Sequence, residues 1–291
     1  MSVIVERLAI IGVGLIGGSF GLALKEAGAV DFVYGYGRTR ENLQDALAAG
    51  AIDDASTEID DLLREADVVL LAVPVRAMAQ IVKDIAYLLK PGCIVTDAGS
   101  TKEVVLGEMV ALLPSYVHVV PGHPIAGSEK TGAAAALADL YRGRRTILTP
   151  GPGTDREAVE VVKKLWEAVG ANVEIMDPSI HDMVLGAVSH LPHMVAYALV
   201  DTVMKWDEEQ PMLRFSAGGL RDFTRIASSS EEMWADICVD NSHKILQAIN
   251  RFQDSLEGLK KEVDAQDRKA LIKRFELARK VRRKITDGGD G

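Results

Sequence analysis

A glycine-rich turn near the N-terminus constrains the fold of this chain more than any other feature. The apolar run Leu8–Ile11 is typical of a strand, the letters GVGLIGG follow it, and a helical stretch begins at Ser19. A strand, GxGxxG and a helix in this order open a βαβ unit that binds a dinucleotide. The alternative is a glycine-rich turn that binds no ligand, and the order of strand, glycines and helix argues against that alternative. The contacts expected with the dinucleotide are Gly12 at the tight turn, Gly14 beside the pyrophosphate, Leu15, Ile16, and Gly17 at the helix–strand contact.

The remaining pattern divides the chain into two regions. About 175 residues alternate apolar runs with helical patterns, as a parallel α/β sheet requires. These runs are Leu8–Ile11, Phe32–Tyr36, Val68–Val73, Ile94–Thr96, Val117–Val120, Thr146–Leu148 and Val173–Met176. After Asp177 the strand-like runs stop, and we expect a long helix over Ser179–Trp206, kinked at Pro192, and further helix over Asn241–Ile285. The pattern predicts a Rossmann-type doubly wound α/β domain at 1–176 and an all-helical domain at 177–291.

Composition excludes several classes of protein. Lys and Arg number 33 and Asp and Glu 42, so the net charge is −9 and nucleic acid is not an expected partner. Cys93 and Cys238 are too few for a disulfide framework and indicate reduced thiols in the cytoplasm. The N-terminus has an acidic residue at Glu6 and no long apolar h-region, so it does not resemble a signal peptide. Because no run reaches ~18 charge-free apolar residues, no membrane span is expected.

The end of the second predicted strand bears on the choice of cofactor. An acid that binds the ribose 2′-hydroxyl of NAD is expected about 20 residues after the glycines. Gly37 occupies that position here, and Arg38, Thr39 and Arg40 follow. A guanidinium there can pair with a 2′-phosphate, so the sequence favours NADP+ over NAD+, with dual use left open. Arg38 covering the adenine would serve either cofactor. Val73 and Pro74 end another predicted strand, which should face the same crevice. They either contact the cofactor or only mark the end of that strand.

Two polar residues follow later strands and are candidates for catalysis. Ser100, in TDAGSTK, is either a residue close to the nicotinamide or the N-cap of the next helix. His123, in PGHPIAGSE, is expected on a loop, where a histidine can exchange protons near neutral pH. A plain turn histidine is the alternative. Ser128 and Glu129 are close enough in sequence to share its pocket.

The helical region supplies further candidates. Ser189 and His193, in SHLPH, are four residues apart and share a helix face. A zinc site at these histidines is not favoured, because a third ligand with suitable spacing is missing, and no metal is expected. Arg225, in GGLRDFTRIA, is suited to binding a carboxylate, although an Asp222–Arg225 structural bridge is equally compatible with the residue types.

Five of these segments together resemble one family. GVGLIGGS, DAGSTK, GHPIAGSEKTG, SHLPHMVAYAL and GGLRDFTRIA with a following MW are similar, in order and spacing, to the prephenate/arogenate dehydrogenases of tyrosine biosynthesis. The resemblance runs from about Leu8 to about residue 260. It implies an N-terminal dinucleotide-binding domain and a C-terminal all-helical dimerisation domain. It also implies NAD(P)+-dependent oxidative decarboxylation, in which a hydroxylated cyclohexadiene loses hydride and carbon dioxide and becomes aromatic.

The resemblance also implies roles for individual residues. His123 would accept the proton of the substrate's 4-hydroxyl, with Ser100 supporting that contact. The anionic groups of the substrate would bind to His193 and Arg225. The remaining pocket residues would be Ser189, Ser128, Glu129, Asp222 and Trp234, the last two near a subunit boundary. The motif begins at Gly12 and the chain ends at residue 291, so we expect a monofunctional dehydrogenase without a mutase segment or a regulatory domain.

Two other functions compete with this interpretation. A 3-hydroxyacid or imine-reducing dehydrogenase would be expected to place a lysine on the long helix, but the first lysine there is Lys205. A nucleotide-sensing protein without catalysis would leave His123, His193 and Arg225 unexplained. Apolar positions in 241–285 exceed what one small layer can bury, so we also expect a homodimer.

Overall fold

The N-terminal region is a parallel sheet wrapped by helices. The computed structural model describes residues 2–128, 130–209 and 211–287. Its sheet contains β1 Val5–Ile11, β2 Val30–Tyr36, β3 Asp54–Ser56, β4 Val68–Leu71, β5 Ile94–Asp97 and β6 His118–Val119. The spatial order is β3-β2-β1-β4-β5-β6, and every pair is parallel. This is the doubly wound order, in which ligands bind at the carboxyl edge where the order reverses beside β1.

Helices cover both faces of this sheet, which explains why its strands are apolar at nearly every position. They are α1 Leu15–Glu26, α2 Arg40–Ala48, α3 Val75–Ile85 and α4 Glu103–Leu112. On one face Phe20 of α1 packs against Trp166, with ring centroids 4.3 Å apart. On the other face Met78 of α3 is fully buried. The predicted fold class is therefore confirmed.

A second, smaller sheet corrects the expectation of one continuous parallel sheet. It contains β7 Gly122–Pro124, β8 Arg145–Leu148 and β9 Asn172–Ile175, with α5 Arg156–Ala168 between the last two. Strand β7 is antiparallel to β8, whereas β8 and β9 are parallel. Pro121 lies between β6 and β7 and lacks the N–H that would continue a ladder, so the chain leaves the large sheet there.

The remaining chain is helical, as predicted. Its helices are α6 Pro178–Leu185, a π-helical turn Gly186–His190, α7 Leu191–Glu209, α8 Gly218–Thr224, α9 Glu231–Asp240, α10 Ser242–Asp264 and α11 Arg268–Asp287. The expected kink near Pro192 takes the form of this π turn, in which Leu191 N–H donates to Gly186 O. Helix does not run unbroken over 241–285, because Gln266 adopts a left-handed φ of 51° between α10 and α11.

The helical segment Pro178–Glu208 is long and apolar enough, by length and composition alone, to cross a membrane. A single helix of this kind is a weak indication, because packed helices of soluble proteins pass the same test. Two polar residues of its first turns, His181 and Asp182, are buried against the N-terminal region. Those contacts favour a packed helix with an apolar outer face.

Candidate active site

The glycine turn has the geometry that a dinucleotide requires. Gly12 has a φ of +97°, and its N–H donates to Tyr36 O at 2.8 Å. A Cβ at Gly17 would lie 2.3 Å from Gly12 O, so only glycine allows α1 to pack this closely. A Cβ at Gly14 would meet nothing within 4 Å, which leaves the approach to the start of α1 open. Leu15 and Ile16 form the first turn, which contains no acidic residue, so its free N–H groups suit a pyrophosphate.

The neighbouring strand ends border the same crevice. A Cβ at Gly12 would lie 2.4 Å from Ala72 O, so the segment that carries Val73 touches the glycine turn, and Pro74 is the N-cap of α3. Gly37 follows β2 and contacts Leu43, where an added Cβ would lie 3.0 Å from Leu43 Cδ2. Arg38 is exposed, and Thr39 is the N-cap of α2. These residues border the crevice in which the ribose and pyrophosphate of a dinucleotide bind in a doubly wound fold.

His123 lies in strand β7 and is only 9% exposed. The expectation of a loop histidine is therefore wrong: Gly122, His123 and Pro124 pair with β8 and form a short buried strand. His123 Nδ1 lies 2.9 Å from His181 Nε2, which belongs to helix α6. Burial holds the pKa of His123 well below its usual range, and the neighbouring His181 and Lys102 side chains lower it further. The ring is therefore neutral near pH 7 and able to accept a proton.

A carboxylate stands behind this histidine pair. His181 Nδ1 lies 2.8 Å from Asp182 Oδ1. Asp182 also accepts hydrogen bonds from the backbone N–H groups of Lys102 and Glu103, at 2.9 Å each, and so caps helix α4 from the helical region. Burial would raise the pKa of Asp182, but the hydrogen bonds from His181 and from these two amides outweigh burial and lower it. Asp182 is therefore an ionised, fully engaged acceptor.

The segment containing Ser100 is held by a buried ion pair. Lys102 Nζ pairs with Asp97 and donates to Gly122 O at 2.9 Å, and both charged side chains are fully buried. Gly122 N–H donates in turn to Asp97 Oδ1 at 3.2 Å, which ties this segment to the strand of His123. Ser100 is half-buried between Gly99 and Thr101, and it is not the N-cap of α4, which is Lys102.

On the helical side the structure groups two histidines around one indole. His193 stacks on Trp234, with centroids 3.8 Å apart and an interplanar angle of 26°. His193 Nδ1 donates to Ser189 O at 2.9 Å, which leaves Nε2 available. Trp234 Nε1 is buried without a hydrogen-bond partner among the described residues. His190, on the edge of the same indole, accepts a hydrogen bond from Asn241 Nδ2 at 3.1 Å.

The remaining candidates are more exposed. Ser128 accepts a hydrogen bond from Lys130 N–H at 3.2 Å, and Glu129 lies outside the described residues. Asp222 and Arg225 lie on an exposed segment that packs mainly against α7. No ion pair joins them in the parts of the chain that the structure describes, so the bridge considered from the sequence does not form there. The guanidinium of Arg225 is thus open to a ligand.

Sequence reasoning overlooked the polar residues that support these candidates. They are Asp97, Lys102, His181, Asp182 and Asn241. One signal was available: His181 and Asp182 are polar residues in the first turns of an otherwise apolar helix, four and five residues after its Asp177 N-cap. Their partner at position 123 is 58 residues away in the chain, and helical spacing does not reveal such a contact. Within 2–128, 130–209 and 211–287 no cluster of three or more His, Cys, Asp or Glu side chains is suited to a metal.

Comparison with known proteins adds a family to this geometry. Residues 20–175 match the family described as prephenate dehydrogenase, nucleotide-binding domain, and residues 177–277 match prephenate dehydrogenase, dimerization domain. The prephenate dehydrogenase of Bacillus subtilis is 37% identical over 95% of this chain and 75% of its own length. The cyclohexadienyl dehydrogenase of Zymomonas mobilis is 36% identical over 95% of each chain.

A solved structure agrees with these matches. The crystal structure of prephenate dehydrogenase from A. aeolicus, in complex with hydroxyphenyl propionate and NAD+, is 38% identical to this chain. It superposes with a TM-score of 0.91 and covers 96% of this chain and 98% of that chain. The resemblance noted from five sequence segments is thereby confirmed. Together with a glycine turn shaped for a dinucleotide, these matches show that the chain belongs to the prephenate dehydrogenase family of nicotinamide-dependent oxidoreductases.

Proposed function

We propose that this protein oxidises and decarboxylates prephenate, or arogenate, in the formation of tyrosine. The observation that carries the proposal is His123, a buried neutral histidine at the carboxyl edge of the sheet. Its strand is tied through Asp97 to the segment that carries Ser100. A base held in this way suits the removal of a hydroxyl proton while the adjacent carbon is oxidised.

The reaction asks little of the protein beyond positioning. Loss of carbon dioxide makes the ring aromatic, so the reaction is strongly favourable without a metal to stabilise a carbanion. When bound, the nicotinamide accepts the hydride from the carbon that bears the hydroxyl. His123 accepts the hydrogen bond and then the proton of that hydroxyl, and Ser100 supports the contact. The protein must also hold the carbon that bears the hydroxyl against the cofactor. This positioning accelerates the reaction by orienting the two reactants.

The anionic groups of the substrate require a local positive or hydrogen-bonding environment, because the whole chain carries −9. His193 is suited to this role through its available Nε2, and Trp234 through its unpartnered indole N–H. Arg225 is suited through a guanidinium that can bind a carboxylate in bidentate fashion. We assign the remaining contacts of the pocket to Ser189, Ser128, Glu129 and Asp222.

For the cofactor we propose NADP+ in preference to NAD+, with dual use permitted. The strand end that should carry a ribose-binding acid carries Gly37, and exposed Arg38 and Arg40 follow it. Because Gly37 has no carboxylate, nothing at that position repels a 2′-phosphate. The guanidinium of Arg38 or Arg40 can pair with that phosphate. The proposed contacts remain those of the glycine turn together with Gly37, Arg38, Thr39, Val73, Pro74 and Ser100.

We further propose that the protein works as a cytoplasmic homodimer, with the domain boundary at 176/177. A helical region that matches a dimerization domain supports the dimer. Its exposed apolar side chains include Trp206, Phe215 and Leu256, which are 55%, 73% and 52% exposed in the single chain. Sedimentation at micromolar concentration should give a species of twice the 31.4 kDa chain mass, and a monomer alone would contradict the dimer.

The activity is tested by absorbance at 340 nm, where the reduced nicotinamide absorbs. Purified protein is mixed with prephenate or arogenate and with NAD+ or NADP+ in all four combinations. We expect reduced cofactor and an aromatic product in stoichiometric amounts with at least one substrate. His123→Asn, purified in parallel, is the control for contaminating dehydrogenases. No reduced cofactor with either substrate would reject the proposed function.

The cofactor preference is tested at Gly37. Gly37→Asp adds a carboxylate that should repel a 2′-phosphate and bind a ribose hydroxyl, so the ratio of kcat/KM should move towards NAD+. Gly37→Asn is the matched control, because it has the same size and the same contact with the Leu43 side chain, without the charge. A wild-type enzyme that strongly prefers NAD+ would show that Arg38 does not select the 2′-phosphate.

A further inference from the structure

We propose that His181 and Asp182 are positioning residues that fix the tautomer of His123, so that His123 Nε2 is the unprotonated nitrogen facing the substrate. The inference deepens the proposed function and rests on it for the role of His123. Its structural basis is a continuous line of hydrogen bonds. His123 Nδ1 lies 2.9 Å from His181 Nε2, and His181 Nδ1 lies 2.8 Å from Asp182 Oδ1. We call these three side chains the relay.

The direction of each hydrogen bond follows from the carboxylate end. An ionised Asp182 has no proton to donate, so His181 Nδ1 must carry the proton in the bond between them. The proposal takes His181 as the neutral ring, whose Nε2 is then bare and can only accept. His123 Nδ1 must therefore be the donor to His181, and a neutral ring with a proton on Nδ1 has none on Nε2. The bare Nε2 is the atom that can accept a hydrogen bond from a substrate hydroxyl.

The surroundings keep this arrangement in place. The exposed fractions of His181 and Asp182 are 0% and 1%, so water does not compete for their hydrogen bonds. Both Asp182 oxygens also accept from the first amides of α4, and Asp182 O accepts from Asn241 Nδ2 at 2.8 Å. The carboxylate thus cannot rotate without losing several bonds at once. The other titratable groups near the relay are Lys102, Asp97, His190 and Asp240.

The relay also joins the two regions of the chain. His123 belongs to β7 of the N-terminal region, whereas His181 and Asp182 belong to α6 of the helical region. The tautomer of the base is therefore set only when α6 is seated against β7 and α4. A serine-protease triad uses a carboxylate to orient its histidine in the same manner, and a wrong tautomer there costs about 10⁴-fold in kcat.

Two substitutions at His181 separate orientation from simple packing. His181→Phe fills the space but cannot accept from His123 Nδ1, so we expect kcat to fall about 10²-fold or more with the dissociation constant of the cofactor unchanged. His181→Gln presents a side-chain oxygen that can accept the same hydrogen bond, and it should recover most of that loss. Exposed His243, replaced in His243→Gln, is the matched control and should behave as wild type.

The tautomer itself can be read without any turnover. ¹⁵N chemical shifts of histidine-labelled protein distinguish protonated from unprotonated ring nitrogens, and the His123 signals are those lost in His123→Asn. We expect a protonated Nδ1 and a bare Nε2 in wild type and in His181→Gln, and a mixture in His181→Phe. A protonated Nε2 in wild type would overturn the proposal, as would a folded His181→Phe enzyme with kcat within twofold of wild type. Absent turnover in wild type would reject the proposed function instead, while the NMR result would still decide the relay.

Discussion

Acidification should destabilise the helical region through His190. This side chain is 1% exposed, and its Nδ1 accepts a hydrogen bond from Asn241 Nδ2 at 3.1 Å. A proton on Nδ1 would remove that acceptor and place a charge beside the indole of Trp234. Burial, with a smaller contribution from the neighbouring histidines, lowers the pKa of His190 to about 4, although Asp182 opposes the shift. The unfolded chain therefore binds this proton at a higher pH than the folded chain does.

The magnitude follows from the difference between the folded pKa of about 4 and the unfolded value of 6.5. Well above pH 6.5 neither the folded nor the unfolded state binds the proton, so neutral His190 makes its full contribution to the free energy of unfolding. As the pH falls from 6.5 towards 4, only the unfolded state gains the proton, and the free energy of unfolding drops by about 1.4 kcal/mol per pH unit. At pH 5 the loss through His190 alone is about 2 kcal/mol.

The contribution of His190 to the free energy of unfolding can be measured by urea denaturation. Wild type and His190→Gln are compared at pH 7.5 and at pH 5, all at one protein concentration. His123, whose pKa is also lowered by burial, adds to the loss in both proteins, so the difference between them isolates His190. The variant should lose about 2 kcal/mol less than wild type on acidification. His243→Gln removes an exposed histidine and should follow wild type. Equal losses in wild type and His190→Gln would refute the reasoning.

Three further variants test the candidate site. His123→Asn should lower kcat by ~10²–10⁴-fold with a smaller effect on KM, and turnover near the wild-type rate would mean that another group takes the proton. Arg225→Ala should raise KM about 30-fold, the equivalent of about 2 kcal/mol, far more than it lowers kcat; an unchanged KM would leave Arg225 without a role in binding. Gly14→Ala, where an added Cβ meets nothing within 4 Å, should leave Tm nearly unchanged but raise the dinucleotide Kd at least tenfold by calorimetry. An unaltered Kd would show that the pyrophosphate does not approach Gly14.

The fold was predictable wherever local chemistry determines it. The glycines of the first turn are required by local steric constraints, so the turn can be recognised from them. Buried strands in a doubly wound sheet have a recognisable apolar pattern. The pattern did not separate β8 and β9 from the large sheet, because a short apolar run reads the same in either sheet, and it assigned β7 to a loop because Gly122–Pro124 contains no apolar run. It also could not find β3, a half-exposed three-residue strand without an apolar run.

The candidate site was predictable only in part, for a different reason. His123 and His193 were found as polar residues in distinctive local settings, whereas their supports depend on contacts between distant segments. Asn241, which bonds to both Asp182 O and His190, lies between two helices and has no local sign of that role. Ser100 illustrates the opposite error, since its position suggested a helix cap that Lys102 and the distant Asp182 provide instead.

The π turn at Gly186–His190 gives the long helix a property that substitution studies alone would not reveal. At about 100° per residue, positions 181 and 193 of an uninterrupted α-helix would point about 120° apart. The i→i+5 bond absorbs one extra residue, which brings the two directions to within about 20°. The turn therefore acts as a one-residue insertion that lets a single rod present His181 and His193 on one side. Deleting one residue of Gly186–His190 would turn the distal half of the helix by about 100°, a little more than a quarter of a revolution.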